Sequence, residues 1–226
     1  MSNLCHTINV NIFTPKEVIR HFPHAVERTY SHGQIIVYYG DAPRHVMFIK
    51  SGAVKLYDTD SEGNEKIMHI GGEGSIFPLF YSFEDKISVD AFYASLTKTE
   101  LLLVPITDFQ RKLKTDAPYA FEVLRWYASE LDHSMLRLKS MEKSNAKQKI
   151  AQALTYLCEQ HADKIRPASP WYRIRFPLTQ QTIADITGLT RETVNIALNE
   201  PAFEKCIRIK RQVFEVYVEK MGEFLD

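Results

Sequence analysis

Polar side chains that can recognise nucleic-acid bases are concentrated towards the C-terminal end of the chain, in the segment PLTQQTIADITGLTRETVNIALN. Arginine and asparagine hydrogen-bond to base edges in the DNA major groove, and glutamate accepts a hydrogen bond from cytosine. Three such residues fall within one short stretch, so that a single helix could present them together. The candidate DNA contacts of this segment are Thr179, Gln180, Gln181, Thr190, Arg191, Glu192 and Asn195.

Two short helices are predicted to position these side chains. Thr179 is a good N-cap for a first helix, QQTIADIT, and Gly188 ends that helix. Thr190 caps a second helix, RETVNIALN, which Pro201 closes. The spacing predicts a helix-turn-helix, although an ordinary helical hairpin with a solvated polar face has the same pattern. The apolar residues expected to pack between the two helices are Ile183, Ile186, Val194, Ala197 and Leu198.

The run LTQQTIADITGLTRETVNIAL resembles the DNA-binding motif of the Crp/Fnr family of bacterial transcription regulators, and Arg-Glu-Thr-Val is its most specific part. The resemblance implies that Arg191 and Glu192 contact bases. It also implies a homodimer that binds a palindromic operator, with double-stranded DNA and RNA polymerase as partners. The family usually has arginine where this chain has Ile196, so the usual operator of the family is not expected here.

Strand-like segments flank the helix-turn-helix, WYRIRF before it and CIRIKRQVFEVYV after it. Lys210, Arg211 and Gln212 are predicted to form the tip of a hairpin, which together with these strands would make the wing of a winged helix. Arg208, Lys210 and Arg211 are then candidate phosphate contacts, which add affinity without sequence preference. A solvated hairpin edge would carry the same charges.

The first half of the chain consists of short strand-like segments such as QIIVY, HVMFIK and TELLLVP, separated by glycine-containing turns. This pattern predicts a sandwich or barrel. The stretch YYGDAPRHVMFIKSGAVKLYDTDSEGNEKIMHIGGEGSIF resembles the double-stranded β-roll, the cupin-like sensor domain of the same family.

A long helix is predicted from Asp116 to Lys143, with an apolar seam whose spacing alternates between three and four residues. Such a seam pairs two helices in a dimer, although an intramolecular core helix is the alternative. The expected fold is therefore α+β, with an effector-binding β-roll over 1–115, a dimerisation helix over 116–143 and a winged helix-turn-helix over 144–226. The seam residues are Leu124, Ala128, Leu131, Met135 and Leu138.

The effector is not expected to be cyclic AMP or cyclic GMP. Family members that bind cyclic nucleotides use a Gly-Glu pair and an Arg-Ser pair, which fall here on Pro78-Leu79 and Val89-Asp90. An aspartate would repel the phosphate, and the apolar replacements offer it no donors. The residues predicted around the pocket suit a small aromatic or apolar ligand, similar to the CprK branch that recognises halogenated phenols, although aromatic side chains in a β-roll also form ordinary core. They are Phe77, Leu79, Val89, Asp90, Tyr127, Glu130 and Ser134.

The composition restricts the class of protein. Lysine plus arginine and aspartate plus glutamate each number 28, so any DNA affinity must come from local patches and not from net charge. Cys5, Cys158 and Cys206 are scattered, which predicts neither a disulfide framework nor a metal-binding pair. With no secretory signal and no run of about 20 apolar residues, we expect a cytoplasmic protein without a membrane partner or cofactor.

Two other classes of function share parts of this pattern. A small-molecule-binding module that acts through a protein partner could carry a degenerate helix-turn-helix. A cupin-like enzyme would need two or three histidines and a carboxylate that converge on a metal. The strand segments supply His45 and His69 without a recognisable cupin spacing, and the chain is therefore not expected to be an enzyme.

Overall fold

The structure, a computed structural model, describes residues 13–79, 82–83, 88–141 and 145–225. Cys5 and the predicted boundary at 143–144 lie outside these residues. The elements of the N-terminal half are α1 (Pro15–His21), β1 (Val26–Tyr30), β2 (Ile35–Val37), β3 (His45–Ser51), β4 (Val54–Thr59), β5 (Glu65–Gly71), β6 (Ile76–Phe77), β7 (Phe92–Ser95), β8 (Thr99–Pro105), α2 (Ile106–Thr115) and α3 (Ala117–Met141).

Two four-stranded sheets form the β-roll. One has the strand order β1-β8-β3-β6 and the other β2-β7-β4-β5. The pairs β1–β8, β3–β8, β2–β7 and β4–β7 are antiparallel. Val37 and Val54 of the second sheet pack in one cluster with Ile49, Leu101 and Leu103 of the first, so a core lies between the sheets. The predicted α+β fold with an N-terminal β-roll is confirmed.

The central strands β8 and β3 of the first sheet are buried on both of their faces, whereas the edge strand β1 is largely exposed. Leu101 and Leu103 of β8 face the second sheet, whereas Leu102 and Val104 belong to another cluster that includes Phe109 of α2 and residues of α1 and α3. Alternate side chains of a strand point to opposite faces, so a strand covered on both sides must be apolar throughout. This explains the uninterrupted run LLLV in the sequence.

Two further strand-like segments form short strands. Among the described residues of SIFPLF, only Ile76 and Phe77 form a strand, because Pro78 has no N–H to donate to a ladder. Among those of ISVDAFY, the strand begins only at Phe92. Before that residue, the backbone of Val89 bonds instead to Gly40 and Asp41, with N–O distances of 2.7 and 2.8 Å.

Helix α3 carries apolar side chains on two sides. Val123 and Trp126 are buried with the β-roll core. The predicted seam is exposed along its length, with Leu131 and Met135 each 50% exposed, and Phe121, 61% exposed, extends it by one turn. Within the described part of the chain the seam is therefore not an intramolecular core.

The C-terminal half is built around α4 (Ala146–His161), whose buried side chains include Ile150, Leu154 and Leu157. This half also contains a four-stranded sheet with the strand order β11-β12-β10-β9. Cys158 and Cys206 are buried free cysteines. The remaining elements are β9 (Ala162–Lys164), β10 (Trp171–Ile174), α5 (Gln180–Thr187), α6 (Arg191–Leu198), α7 (Pro201–Glu204), β11 (Ile207–Lys210), β12 (Val213–Tyr217), α8 (Val218–Met221) and a final 3-10 turn, Gly222–Phe224.

The chain divides into two compact units, and the division within α3 falls between Glu130 and Leu131. The short segment Asp60–Lys66 is grouped with the C-terminal unit. The domain boundaries predicted from the sequence are 1–115, 116–143 and 144–226, which place the whole of α3 in a segment of its own. These boundaries stay a prediction. The first residues of α3 belong with the β-roll, and its last residues belong with the C-terminal elements.

Two glycines of the β-roll provide a matched test of this fold. Gly52 and Gly63 both have left-handed backbones, with φ of 88° and 83°. A Cβ on Gly52 would lie 2.5 Å from the backbone oxygen of Lys98, whereas a Cβ on Gly63 meets nothing within 4 Å. We expect Gly63→Ala to lower the free energy of unfolding by about 1–2 kcal/mol, the cost of a left-handed alanine. Gly52→Ala should lower it by a further ~1–3 kcal/mol from overpacking.

Urea denaturation followed by circular dichroism measures both variants against the unsubstituted protein. Gly63→Ala is the control for the backbone conformation alone. Equal decreases of stability in the two variants would contradict the close approach between the Gly52 turn and residues 97–99.

Candidate nucleic-acid interface

Capping residues at its two ends explain where helix α5 begins and ends. The Thr179 hydroxyl accepts a hydrogen bond from the Thr182 N–H at 3.0 Å and so caps the first turn. Gly188 follows the helix in the left-handed conformation, with φ of 70°, and its N–H donates to the Ala184 carbonyl. Ile183 and its apolar neighbours are buried, so α5 presents one edge to the core of the domain.

Helix α6 follows after three residues and is capped in the same way. The Thr190 hydroxyl accepts from the Thr193 N–H at 3.1 Å. Val194, Ala197 and Leu198 are buried, which leaves the opposite edge of the helix facing solvent. The sequence predictions for both helices and for their packing are confirmed.

The exposed edge of α6 carries two unlike charges at its N-terminus. Arg191 and Glu192 are both exposed, and neither forms a hydrogen bond or ion pair with another residue that the structure describes. Asn195 follows one turn later and is also exposed. The side chains of Arg191 and Glu192 are therefore available for an external partner, whereas the Asn195 side-chain oxygen accepts hydrogen bonds from Gln180 and Asn199.

Two glutamines predicted as DNA contacts instead have intramolecular partners. Gln180 is half-buried, and its amide donates to the Asn195 side-chain oxygen at 2.8 Å, which links α5 to α6. Gln181 is exposed and donates to Asp185 at 2.7 Å. The bond of Gln181 lies within α5, between residues four apart. The sequence gives no sign of the bond between Gln180 and Asn195, because polar side chains on facing helix edges pair only once the helices are packed.

The sequence did not predict the role of Arg137, near the end of α3. Its guanidinium donates to the Ile186 carbonyl at 3.1 Å and lies over the Tyr156 ring, 5.9 Å from the centroid. Burial lowers the pKa of Arg137 from its ordinary value, and Tyr156 opposes this shift. A cation at the C-terminal end of α5 interacts favourably with the helix dipole and holds α5 against the last turns of α3.

The wing turns at Arg211 and Gln212, which have φ of 47° and 65°. The Leu178 N–H donates to the Gln212 carbonyl at 2.8 Å, one residue before the cap of α5. This bond puts the exposed side chains of Lys210 and Arg211 near the start of the helix-turn-helix. The predicted hairpin tip is confirmed as a turn, with Lys210 as the last residue of β11.

Arg208 lies elsewhere on the wing. It pairs across the ladder with Glu215, and its guanidinium is 3.8 Å from the centroid of the Trp171 ring. Glu215 itself is bonded by Arg173 at 2.7 Å. Arg208 is exposed but stacks on an aromatic ring of the sheet, whereas Arg211 lies in the turn at the tip of the hairpin.

An open groove of about 440 Å³ runs beside α6 and reaches the start of α4. Ile196 and Ala197 form its apolar side, and Lys147 and Glu200 are joined across it by an ion pair of 2.5 Å. Ile196 is 60% exposed, in contrast to its buried neighbour Ala197. The groove thus borders α6 along Thr193, Ile196 and Ala197.

The predicted effector residues do not all converge in the β-roll. Phe77 is buried and stacks on Tyr93 with ring centroids 5.0 Å apart, and Val89 belongs to the same cluster. Leu79 is buried in the other cluster, on the opposite side of the first sheet. Asp90 is exposed.

The α3 residues predicted for the pocket are more polar and more open. Tyr127 is 40% exposed, and the Glu130 carboxylate lies 3.3 Å from the Nε2 atom of His69 on β5. Ser134 is exposed and belongs to the C-terminal unit. His69 was considered as a metal ligand from the sequence, and its pairing with Glu130 was not anticipated.

The described residues contain neither a candidate metal site nor a candidate membrane-spanning helix. No group of three or more histidine, cysteine, aspartate or glutamate side chains there could hold a metal ion. Among the same residues, no helix has the length and apolar composition needed to cross a bilayer.

Comparisons with known proteins agree with this architecture. A model described as a cyclic nucleotide-binding domain matches residues 27–116, and one described as a Crp-like helix-turn-helix domain matches residues 148–221. The global nitrogen regulator of Nostoc sp. is 28% identical over 198 residues, which cover 87% of this chain and 86% of that protein. The cyclic AMP receptor protein of Thermus thermophilus is 27% identical over 202 residues, which cover 89% and 88% of the two chains.

The fold is shared with FixK2 from Bradyrhizobium japonicum, with a TM-score of 0.74 at 21% identity over 88% of this chain and 96% of that one. Both domain models match in the order in which the structure has the two domains, and the relatives extend over nearly the whole chain. The chain belongs to the Crp/Fnr family of DNA-binding transcription regulators.

Proposed function

We propose that the chain is an effector-responsive regulator that binds a palindromic DNA site as a homodimer and acts together with RNA polymerase. One observation carries the proposal: the exposed N-terminal turn of α6, where the charges of Arg191 and Glu192 have no partner among the described residues. The arginine donors match O6 and N7 of guanine, and the glutamate accepts from N4 of cytosine. An eight-residue helix is about 12 Å long and fits the width of the major groove.

The wing supplies contacts of a different kind. Lys210 and Arg211 are exposed beside the start of α5, held there by the bond between Leu178 and Gln212. Phosphates on either side of the groove would be neutralised by these cations, which sets the register of the protein on the duplex without selecting bases. Base selection and non-specific affinity are thus assigned to separate residues.

The exposed seam of α3 supports the homodimer. Leu124 and Leu138 are 58% and 56% exposed, and with Leu131 and Met135 they form a continuous apolar stripe on the surface of the helix. An exposed apolar surface of this kind marks a contact with another protein chain. Pairing of two copies along the stripe relates their recognition helices by a two-fold axis. Two half-sites about 34 Å apart then form a palindrome. An effector that binds better to the dimer with this spacing shifts the population towards it.

The first prediction of this function concerns base recognition. We expect Arg191→Ala to weaken binding to the preferred site by about 1–3 kcal/mol per half-site and to relax specificity at one base pair, because alanine cannot replace the two hydrogen bonds that arginine donates to guanine. Arg211→Ala should weaken binding to all sequences alike. It should also make the dependence of log affinity on log salt shallower by about 0.9 for each phosphate that the variant no longer neutralises.

The experiment selects a preferred site from random DNA with the full-length protein and then measures each variant on that site and on scrambled DNA at two salt concentrations. Arg211→Lys keeps the charge at the wing and should retain most of the affinity. Arg166→Ala removes an exposed arginine of the same domain and should leave base preference unchanged. If Arg191→Ala weakens specific and non-specific binding equally, the result would contradict the role of α6 and favour a module that acts through a protein partner.

The next prediction concerns the dimer. Leu131→Lys should convert the dimer to a monomer, because it would bring two lysines together at an apolar two-fold axis. Sedimentation velocity measures the result. The control is Glu122→Lys, which adds a lysine to an exposed position of the same helix outside the stripe. If Leu131→Lys sediments like the unsubstituted protein, the dimer axis lies elsewhere.

The effector is proposed to be a small aromatic or apolar molecule and not a cyclic nucleotide. One relative is named a cyclic AMP receptor protein. In this chain, however, the positions expected to bind a cyclic phosphate include Leu79 and Val89, which are buried apolar side chains of two packing clusters, and the acidic Asp90. A buried apolar side chain cannot compensate the dehydration of a phosphate.

Cyclic AMP is accordingly expected to give no saturable heat when it is titrated into the protein in a calorimeter. The control is the same preparation, which should bind its selected DNA site. A micromolar or tighter dissociation constant for cyclic AMP would overturn the argument from Leu79, Val89 and Asp90.

A further inference from the structure

An apolar side chain stands among polar ones on the edge of α6 that faces solvent. Ile196 lies four residues after Glu192 and next to Asn195, and it is 60% exposed. Residues four apart on a helix are neighbours on one face, so Ile196 extends the same surface as Glu192 by one turn. The opposite edge of the helix, with Val194, Ala197 and Leu198, is buried.

Internal packing does not account for this isoleucine. More than half of its surface is in contact with solvent, in contrast to the fully buried Val194 of the same helix. The open groove that it borders is lined by Ala146 and Ala197 as well as by the ion pair of Lys147 with Glu200, and it leaves most of the isoleucine in solvent. The exposed side chain therefore has a specific use if an apolar group of an external partner meets it.

The major groove contains one apolar group on a base edge, the C5-methyl of thymine. A β-branched side chain in a helix has one strongly preferred χ1 rotamer, so Ile196 meets a partner with little loss of conformational freedom. We propose that Ile196 contacts a thymine methyl and that it is a specificity-determining residue of this regulator. The inference rests on the proposed function, because it requires α6 to lie in the major groove.

The position of the thymine follows from helix geometry. Four residues along a helix correspond to about 6 Å of rise, and a base-pair step along the duplex is about 3.4 Å. The thymine therefore lies within about two base pairs of the base that Glu192 contacts. Each half-site contains one such thymine, so the effect of its methyl group counts twice in the dimer.

The test uses the site selected by the full-length protein and replaces each thymine, one symmetric pair at a time, with deoxyuridine. This replacement removes the C5-methyl and keeps every hydrogen-bonding group. At one pair of positions we expect binding to weaken roughly fourfold per half-site, the factor that corresponds to burial of one methyl group. At thymines away from α6 the affinity should not change.

Variants then assign the effect to this residue. Ile196→Ala should bind thymine and deoxyuridine sites equally, and Ile196→Val should keep most of the difference. Ile209→Ala is the matched control, because it truncates a half-exposed isoleucine of the wing and should preserve the full discrimination. Ile196→Arg should lose the preference for thymine at this position and gain one for guanine, because its donors match guanine O6 and N7.

The outcomes separate this inference from the function on which it rests. If the protein selects a site and Arg191→Ala relaxes its specificity, but no thymine-to-deoxyuridine change matters, the DNA-binding role stands and the role of Ile196 is overturned. Discrimination that persists in Ile196→Ala would also overturn it, since another residue must then contact the methyl. If no site is selected at all, both proposals fail.

Discussion

The packing of α5 and α6 onto the C-terminal domain is the constraint on which the interface depends. Each of these helices has eight residues, and isolated helices of that length are unstable in water. Their orientation is therefore set by what they bury, with Ile183 on one helix and Val194 and Leu198 on the other. Packing of these apolar edges therefore determines which residues of α6 are exposed. The bond from Arg137 to the end of α5 adds a further restraint, and it originates in a different helix.

The local elements of this interface were predictable from the sequence because their signals are local. Thr179 and Thr190 accept hydrogen bonds from residues three positions on, and Gly188 adopts a conformation that few other residues tolerate. Arg137 gave no comparable signal, because its partner Ile186 is 49 residues away. The link between Gln180 and Asn195 likewise depends on how two helices meet. Interactions of this kind follow from tertiary structure and have no periodic pattern in the chain.

The sensor domain was less predictable, for a related reason. The central strands of its first sheet are covered on both faces, so their residues are apolar whichever side they face. An apolar residue such as Leu79 or Phe77 could be assigned to the β-roll, but not to a particular face of the sheet. The structure separates these two residues into different clusters. Polar partners on facing elements, such as His69 and Glu130, are a better guide to where a ligand could find directional contacts.

The wing hairpin depends on the segment that precedes α5. Arg211 and Gln212 occupy left-handed conformations that cost roughly 1–2 kcal/mol each for residues other than glycine. The ladder between β11 and β12 offsets this cost, and the bond from Leu178 outside the hairpin also contributes to its shape. A wing transplanted onto another scaffold as residues 207–217 alone would lack that support. The smallest portable unit is the hairpin together with the segment that leads into α5.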